Sequence, residues 1–169
     1  MVSTKKHLAA VCGLYCEACT LYIATQEDPA RLKDLATRFQ LSEDLMRCDG
    51  CRAAKRGPYC QTCTMSACAA EKGIEFCVNC AEYPCATLKE FQPQMPHRRD
   101  LWDDLERIKA VGYADWLNEA REKYSCSACG TINSAYDLKC RKCGNEPGCP
   151  YVAKHRSAIE ERLREWERG

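Results

Sequence analysis

CSACGTINSAYDLKCRKCGN, residues 126–145, decides how this chain is held together. The spacing is C-x2-C-x10-C-x2-C, and both halves end in Cys-Gly, at Cys129-Gly130 and Cys143-Gly144. A C-x2-C pair presents two thiolates to one ion from a tight turn. The glycine that follows lets the backbone fold back so that amides point at the sulfurs. Cys126, Cys129, Cys140 and Cys143 therefore predict a four-thiolate zinc site of the ribbon kind, with the ion replacing a hydrophobic core. A closed four-sulfur site keeps no open position for substrate, so no catalysis is assigned to it.

The same spacing runs through the rest of the chain. Of sixteen cysteines in 169 residues, twelve form six C-x2-C pairs: Cys16/Cys19, Cys48/Cys51, Cys60/Cys63, Cys77/Cys80, Cys126/Cys129 and Cys140/Cys143. A disulfide framework spreads its cysteines to bridge distant segments, whereas repeated pairs are metal knuckles. The start, MVSTKKHLAAVCGL, has an apolar run too short for a secretory leader, and a cytoplasmic location is expected. No apolar stretch is long enough to span a membrane. Net charge is +1 and evenly spread, without the basic excess that drives nucleic-acid binding. Three Phe and three Trp make a thin core. Structural zinc contributes roughly 10–16 kcal/mol in small sites, so a few ions can dominate folding.

Composition divides the chain into a cysteine-rich multi-metal domain at 1–95, a cysteine-free helical spacer at 96–124, and the ribbon with a C-terminal helix at 125–169. The expected fold class is small, metal-stabilised α+β, mostly helical in the N-terminal domain. In the first region, Asp28 and Pro29 open a helix carrying Leu32, Leu35 and Phe39 as a core-facing stripe. CQTCTMSAC and CVNCAEYPC share C-x2-C-x4-C, which suggests two copies of one knuckle-and-helix unit, joined by a turn at Gly73. In the spacer, Leu101, Leu105 and Ile108 form one stripe, Gly112 breaks the run, and Trp116 and Leu117 follow. Ile159, Leu163 and Trp166 share a face of the last helix.

Eleven N-terminal cysteines remain to be allocated: Cys12, Cys16, Cys19, Cys48, Cys51, Cys60, Cys63, Cys68, Cys77, Cys80 and Cys85. Pairing knuckles joins Cys16/Cys19 with Cys48/Cys51, and Cys60/Cys63 with Cys77/Cys80. Alternatively each C-x2-C-x4-C unit supplies three ligands and takes a fourth from elsewhere. The sequence leaves both open. CGLYCEAC has the C-x3-C-x2-C spacing of radical S-adenosylmethionine enzymes, but no strand–helix alternation for their barrel is present and Ala18 stands where an aromatic residue is usual. Zinc is the expected metal. A [4Fe-4S] cluster on the N-terminal cysteines is the alternative, since all-thiolate sites suit both.

No nucleophile–base pair, phosphate loop or metallohydrolase helix is present, so an enzyme is not expected. His7, His97 and His155 read as surface histidines. Lys139, Arg141, Lys142, Lys154 and Arg156 outnumber Asp137 and Glu146 around the ribbon, which leaves a nucleic-acid partner as a weaker alternative to a protein partner. Cys149 reads as a buried free thiol rather than a ligand with His155.

The segments CGLYCEACTLYIAT, CDGCR, YCQTCTMSACAAEKGIEFCVNC and EYPCATLKEF, across roughly residues 12–91, resemble a family of unknown function, DUF3795. The spacer and ribbon look like an extension that some members carry. The resemblance implies a bacterial or archaeal cytosolic metal-binding protein and no particular activity. Taken together, the expectation is a multi-zinc, non-catalytic binding or adaptor module, with an iron–sulfur carrier or sensor and a nucleic-acid-binding ribbon protein as rivals.

Overall fold

The computed structural model describes residues 5–168. Residues 1–4, the first four of the segment weighed as a leader, and Gly169 lie outside them. Nine α-helices run in order among the described residues: α1 Thr20–Gln26, α2 Pro29–Phe39, α3 Glu43–Met46, α4 Pro58–Gln61, α5 Thr64–Glu71, α6 Ala86–Phe91, α7 Leu101–Val111, α8 Tyr113–Tyr124 and α9 Pro150–Arg168. No strand forms among the described residues. Isolated β-bridges pair Ala9 with Tyr15 and Ser125 with Ile132. The fold is thus helical and cysteine-rich, and the β part of the expected α+β class is reduced to single bridges. The reason is visible in the 126–145 segment, where side chains rather than a ladder hold the loop between the knuckles.

Local sequence explains the helix boundaries. Asp28 caps α2 by accepting from the Arg31 amide at 3.0 Å, and Pro29 sits in the first turn, where its missing N–H costs nothing. Leu32 and Ala36 of α2 bury against Ala24 and Met46 in a small satellite core. Phe39 does not join the expected stripe: it is the last residue of α2 and is 59% exposed, because the satellite core ends one turn earlier. The proposed repeat also diverges. In the first unit Cys63 precedes α5 and Cys68 lies inside it. In the second, Pro84 has no amide to donate, the x4 stretch stays non-helical, and α6 starts only after Cys85. Gly73 does supply the turn after α5, at φ +63°.

The main apolar cluster draws on residues from 1–95, 96–124 and 125–169 alike. Leu101, Leu105 and Ile108 of α7 bury as expected, beside Trp116, Ala120 and Tyr124 of α8 and Tyr151, Val152 and Ile159 of α9. Tyr124 stacks on Tyr151 at 4.9 Å, and Tyr15 meets the Trp116 ring edge-on at 6.1 Å. Trp116 is fully enclosed, and its indole N–H donates to Asp104 at 3.0 Å. Burying side chains of this size contributes about 1.5–3 kcal/mol each. The Cys12–Tyr15 loop lies directly on α7. A Cβ at Gly13, whose φ is +84°, would sit 2.9 Å from Leu105 Cγ, so the position needs glycine for both space and backbone. Trp166, at the end of α9, stays 42% exposed against Tyr136.

Candidate metal centre

The two knuckles of the 126–145 segment are built alike. The Cys126 amide donates to the Thr131 carbonyl at 2.9 Å, and the Gly130 amide returns to the Cys126 carbonyl at 2.8 Å. The Cys140 amide donates to the Asn145 carbonyl at 2.8 Å, and the Gly144 amide to the Cys140 carbonyl at 2.9 Å. Gly130 and Gly144 both have positive φ. In each knuckle the first cysteine is buried and the second exposed.

These turns aim four sulfurs at one point. Cys126 Sγ lies 3.6 Å from Cys143 Sγ, and Cys129 Sγ 3.6 Å from Cys140 Sγ. All four lie within 4.8 Å of one another. Zinc–sulfur bonds of about 2.3 Å in a tetrahedron place sulfurs ~3.8 Å apart, so the donor set and spacing fit a metal ion without rearrangement. Among the described residues this is the one group of three or more ligating side chains drawn together so closely.

The electrostatics suit thiolates. Cys129 is lowered first by its contact with the Thr131 hydroxyl. Burial works to raise Cys140, but amide donation from Cys143 and Lys142 and the Asn133 side chain outweigh it, bringing the thiol down to about 6. The Asn145 amide lowers Cys143, but sharing hydrogen bonds with Cys129, Cys126 and Cys140 pushes it up to about 12. Four sulfurs that compete for protons in this way are the setting in which a cation displaces those protons.

Asn133, fully buried, organises the centre and carries no sequence signal of its own. Its Nδ2 donates to the Thr131 carbonyl at 3.0 Å and the Gly148 carbonyl at 2.9 Å, and its Oδ1 accepts from the Arg141 amide at 3.0 Å. One side chain thus ties the first knuckle, the second knuckle and the chain leading into α9. Gly148 is there because a Cβ would fall 2.1 Å from the Asp137 carbonyl oxygen. Three contacts dock the centre on α1 and α2: Thr20 with Ser134 Oγ at 2.9 Å, Arg31 with Asp137 at 2.9 Å, and Arg141 with Glu27 at 2.5 Å. The basic residues around the four-cysteine group largely face acids of the same chain: Arg156 pairs with Glu146 and Glu160, Lys154 with Asp100 and Lys139 with Glu146.

All sixteen cysteines are free of disulfides. The N-terminal eleven are gathered more loosely than the C-terminal four. Cys16/Cys19 and Cys48/Cys51 are neighbours, with the Cys51 amide donating to Cys16 Sγ at 3.3 Å. Burial raises Cys16, and the charges of Cys51, Cys19 and Cys48 raise it further. Burial likewise pushes Cys60 up to about 12, with Cys19, Cys51, Cys48 and Cys63 as its charged neighbours. It pushes Cys77 up to about 12, with Cys85, Cys68, Cys63 and Cys80. Cys12 is also raised, first by burial and then by Cys51. Cys149 is a buried thiol at the start of α9, raised by burial to about 11.

Two histidines differ from the surface reading. His155 Nε2 is 2.7 Å from the buried Asp100, beside Lys154 and Lys123, and does not approach Cys149 as a co-ligand. His97 Nδ1 is 2.6 Å from the Tyr136 hydroxyl, and burial, with Arg98 alongside, lowers it to about 3. Both partners are distant in sequence, so local pattern offers no sign of them. No helix among the described residues is long and apolar enough to cross a membrane.

Residues 8–90 match the model of a family described as Protein of unknown function (DUF3795). No curated protein and no solved structure matches the chain.

Proposed function

Because the chain belongs through residues 8–90 to DUF3795, a family without an assigned role, its function has to be read from its own chemistry, and we propose a multi-zinc, non-catalytic binding module. The observation that carries this reading is the convergence of Cys126, Cys129, Cys140 and Cys143 to mutual distances that suit one tetrahedral ion. When bound, such an ion supplies structural cross-linking. Four thiolates close its coordination sphere and leave no position for a substrate. The N-terminal thiols extend the same chemistry: they are free of disulfides, eight of the eleven fall in C-x2-C pairs, and at Cys16 and Cys60 burial and the charges of neighbouring thiols oppose ionisation in the absence of a cation.

The chain's own residues then do the positioning. Gly130 and Gly144 turn the knuckles, Asn133 locks them together, and Arg31, Glu27 and Thr20 hold the centre against α1 and α2. On this reading the ligand recognised is another protein. Intramolecular acids meet most of the basic side chains around the ribbon, which supports a protein partner over nucleic acid.

The test is elemental analysis of full-length protein prepared without air, followed by chelation monitored by circular dichroism. The expected result is colourless, zinc-containing protein that loses helical signal when zinc is withdrawn. A brown protein containing iron and inorganic sulfide replaces zinc with iron–sulfur chemistry in the N-terminal region. Full retention of fold after exhaustive chelation overturns the reading. Salt-dependent retention on a random oligonucleotide overturns the choice of protein partner.

A further inference from the structure

The exposed cysteines are Cys19, Cys68, Cys129 and Cys143, and the last two belong to the one group whose sulfurs are drawn together. Within that group exposure alternates. Cys126 and Cys140 are 2% and 4% exposed, while Cys129 and Cys143 are open to solvent. Each knuckle is closed by its glycine amide on the first cysteine's carbonyl, so the first cysteine lies at the base of the turn and the second at its rim. The Ala128 amide also donates to the buried Cys126 Sγ, at 3.4 Å.

The short sulfur contacts cross between the knuckles. Cys143 Sγ meets Cys126 Sγ, and Cys129 Sγ meets Cys140 Sγ, each at 3.6 Å. Each contact therefore joins an exposed sulfur of one knuckle to the buried sulfur of the other. A disulfide bond is about 2.05 Å long, so each pair has only about 1.5 Å to close.

A small reagent has room beside the exposed pair. A cleft of 440 Å³ is lined by Gly130 and Thr131, directly after Cys129, and by Arg141 and Lys142, directly before Cys143. That is far more than the ~30 Å³ a water molecule occupies in the liquid, and hydrogen peroxide is only one oxygen larger. Thr131 Oγ1 lies 3.2 Å from Cys129 Sγ, a hydroxyl in place to hydrogen-bond a thiolate there. The susceptibility of a cysteine to oxidation follows its thiolate character and its access. Metal ligation supplies the first, because a coordinating thiol is deprotonated. Position in the knuckle supplies the second.

We propose that Cys129 and Cys143 are sites of oxidation by peroxide, each resolved by the buried cysteine of the other knuckle: Cys129 by Cys140, and Cys143 by Cys126. The proposal rests on the metal-binding reading of these four residues and adds a regulated state to it. In the first step the exposed thiolate sulfur attacks one peroxide oxygen, the O–O bond breaks, and a sulfenic acid and a hydroxide ion form. In the second the buried thiolate attacks the sulfenic sulfur, the S–O bond breaks, and a disulfide and a second hydroxide form. The two hydroxides take two protons from solvent and leave as water. Each sulfur gives up one electron, and the peroxide accepts both. Two of the four donors are then consumed, which ends closed four-sulfur coordination.

The test treats the full-length chain, purified without air and assayed for zinc by native mass spectrometry, with hydrogen peroxide. Released zinc is followed with a chromophoric chelator, and disulfides by peptide mapping without reduction. Cleavage after Lys139 and Lys142 places Cys126 and Cys129 on one peptide and Cys140 and Cys143 on two others, and fragmentation of linked peptides identifies the partners. The expected result is Cys129–Cys140 and Cys126–Cys143 links that grow in step with the loss of one zinc per chain. Dimedone added during exposure labels Cys129 and Cys143 on the order of tenfold more than Cys126 and Cys140. Links inside a knuckle, Cys126–Cys129 or Cys140–Cys143, overturn the pairing. Dimedone found mainly on Cys126 and Cys140 overturns the assignment of the oxidised sites. A zinc-containing chain whose four cysteines stay reduced overturns the proposal and leaves the metal reading standing. A chain purified without zinc overturns the metal reading and the proposal with it.

Discussion

Replacing Asn133 with Ala removes three hydrogen bonds that join both knuckles to the chain entering α9, without touching a sulfur. The Gly148 carbonyl is buried, and losing its donor incurs a desolvation penalty of about 1–3 kcal/mol. The Thr131 carbonyl and the Arg141 amide are part-buried, so water recovers much of each bond, leaving a net loss of about 1 kcal/mol apiece. The sum is about 3–5 kcal/mol. Because the knuckles are ordered together with their ion, this loss falls on the metal-bound state and lowers zinc affinity by roughly 150- to 4,000-fold at 1.4 kcal/mol per decade. The assay is competition between the full-length chain and a chromophoric chelator, with thermal unfolding in excess zinc as a second readout. If the Asn133→Ala competition curve falls within about threefold of the parent, Asn133 does not organise this centre and the reasoning fails.

Replacing Cys126 and Cys129 together with Ser releases one zinc and unfolds the 125–169 region; unchanged metal content and circular dichroism would show that these residues hold no ion. Cys149→Ala leaves zinc content unchanged, because its thiol is buried apart from the four-sulfur group, and loss of an ion in metal analysis refutes that placement. His97 gives a pH signature. Its folded pKa of about 3 lies below the unfolded value, so its contribution is complete above about pH 6.5 and is lost as pH falls toward 3. Between pH 7 and pH 5 the loss is about 2 kcal/mol, read as the difference in urea stability between the parent and His97→Gln. Equal pH slopes in the two proteins would contradict it.

The parts legible in the sequence are those set by short-range spacing. Two C-x2-C-Gly turns, ten residues apart, converge because each turn is self-contained: its amides bond to carbonyls within five residues. The α2 start and the α7 stripe follow for the same reason, since capping and 3.6-residue periodicity are local. What escapes is long-range. Asn133 reaches Gly148, His97 reaches Tyr136, and Asp100 gathers Lys123, Lys154 and His155 from two other helices. The likeness of CQTCTMSAC and CVNCAEYPC misleads because one Pro, at 84, changes which backbone amides are available. Six identical pairs also make a matching problem that spacing alone cannot solve, since any two knuckles satisfy the same rule.

The position of the C-terminal centre suggests why so many thiols share so small a chain. α1 begins at Thr20, immediately after Cys19, and Thr20 Oγ1 lies 2.9 Å from Ser134 Oγ in the loop between the two C-terminal knuckles. Glu27 follows the end of the same helix and pairs with Arg141, which lies between Cys140 and Cys143. Both ends of α1 therefore touch the C-terminal centre, while its N-terminal neighbour Cys19 is one of the eleven N-terminal thiols. A seven-residue helix is too short to be stable alone. It is ordered by what holds its ends, and here the holders are the cysteine-bearing turn at 16–19 and the 126–145 segment. Withdrawing zinc from Cys126, Cys129, Cys140 and Cys143 should therefore loosen α1 and, through it, Cys19. Amide exchange of α1 measured on the Cys126→Ser/Cys129→Ser chain is expected to rise toward that of its frayed ends, and exchange that stays at the parent rate would mean the two regions fold independently.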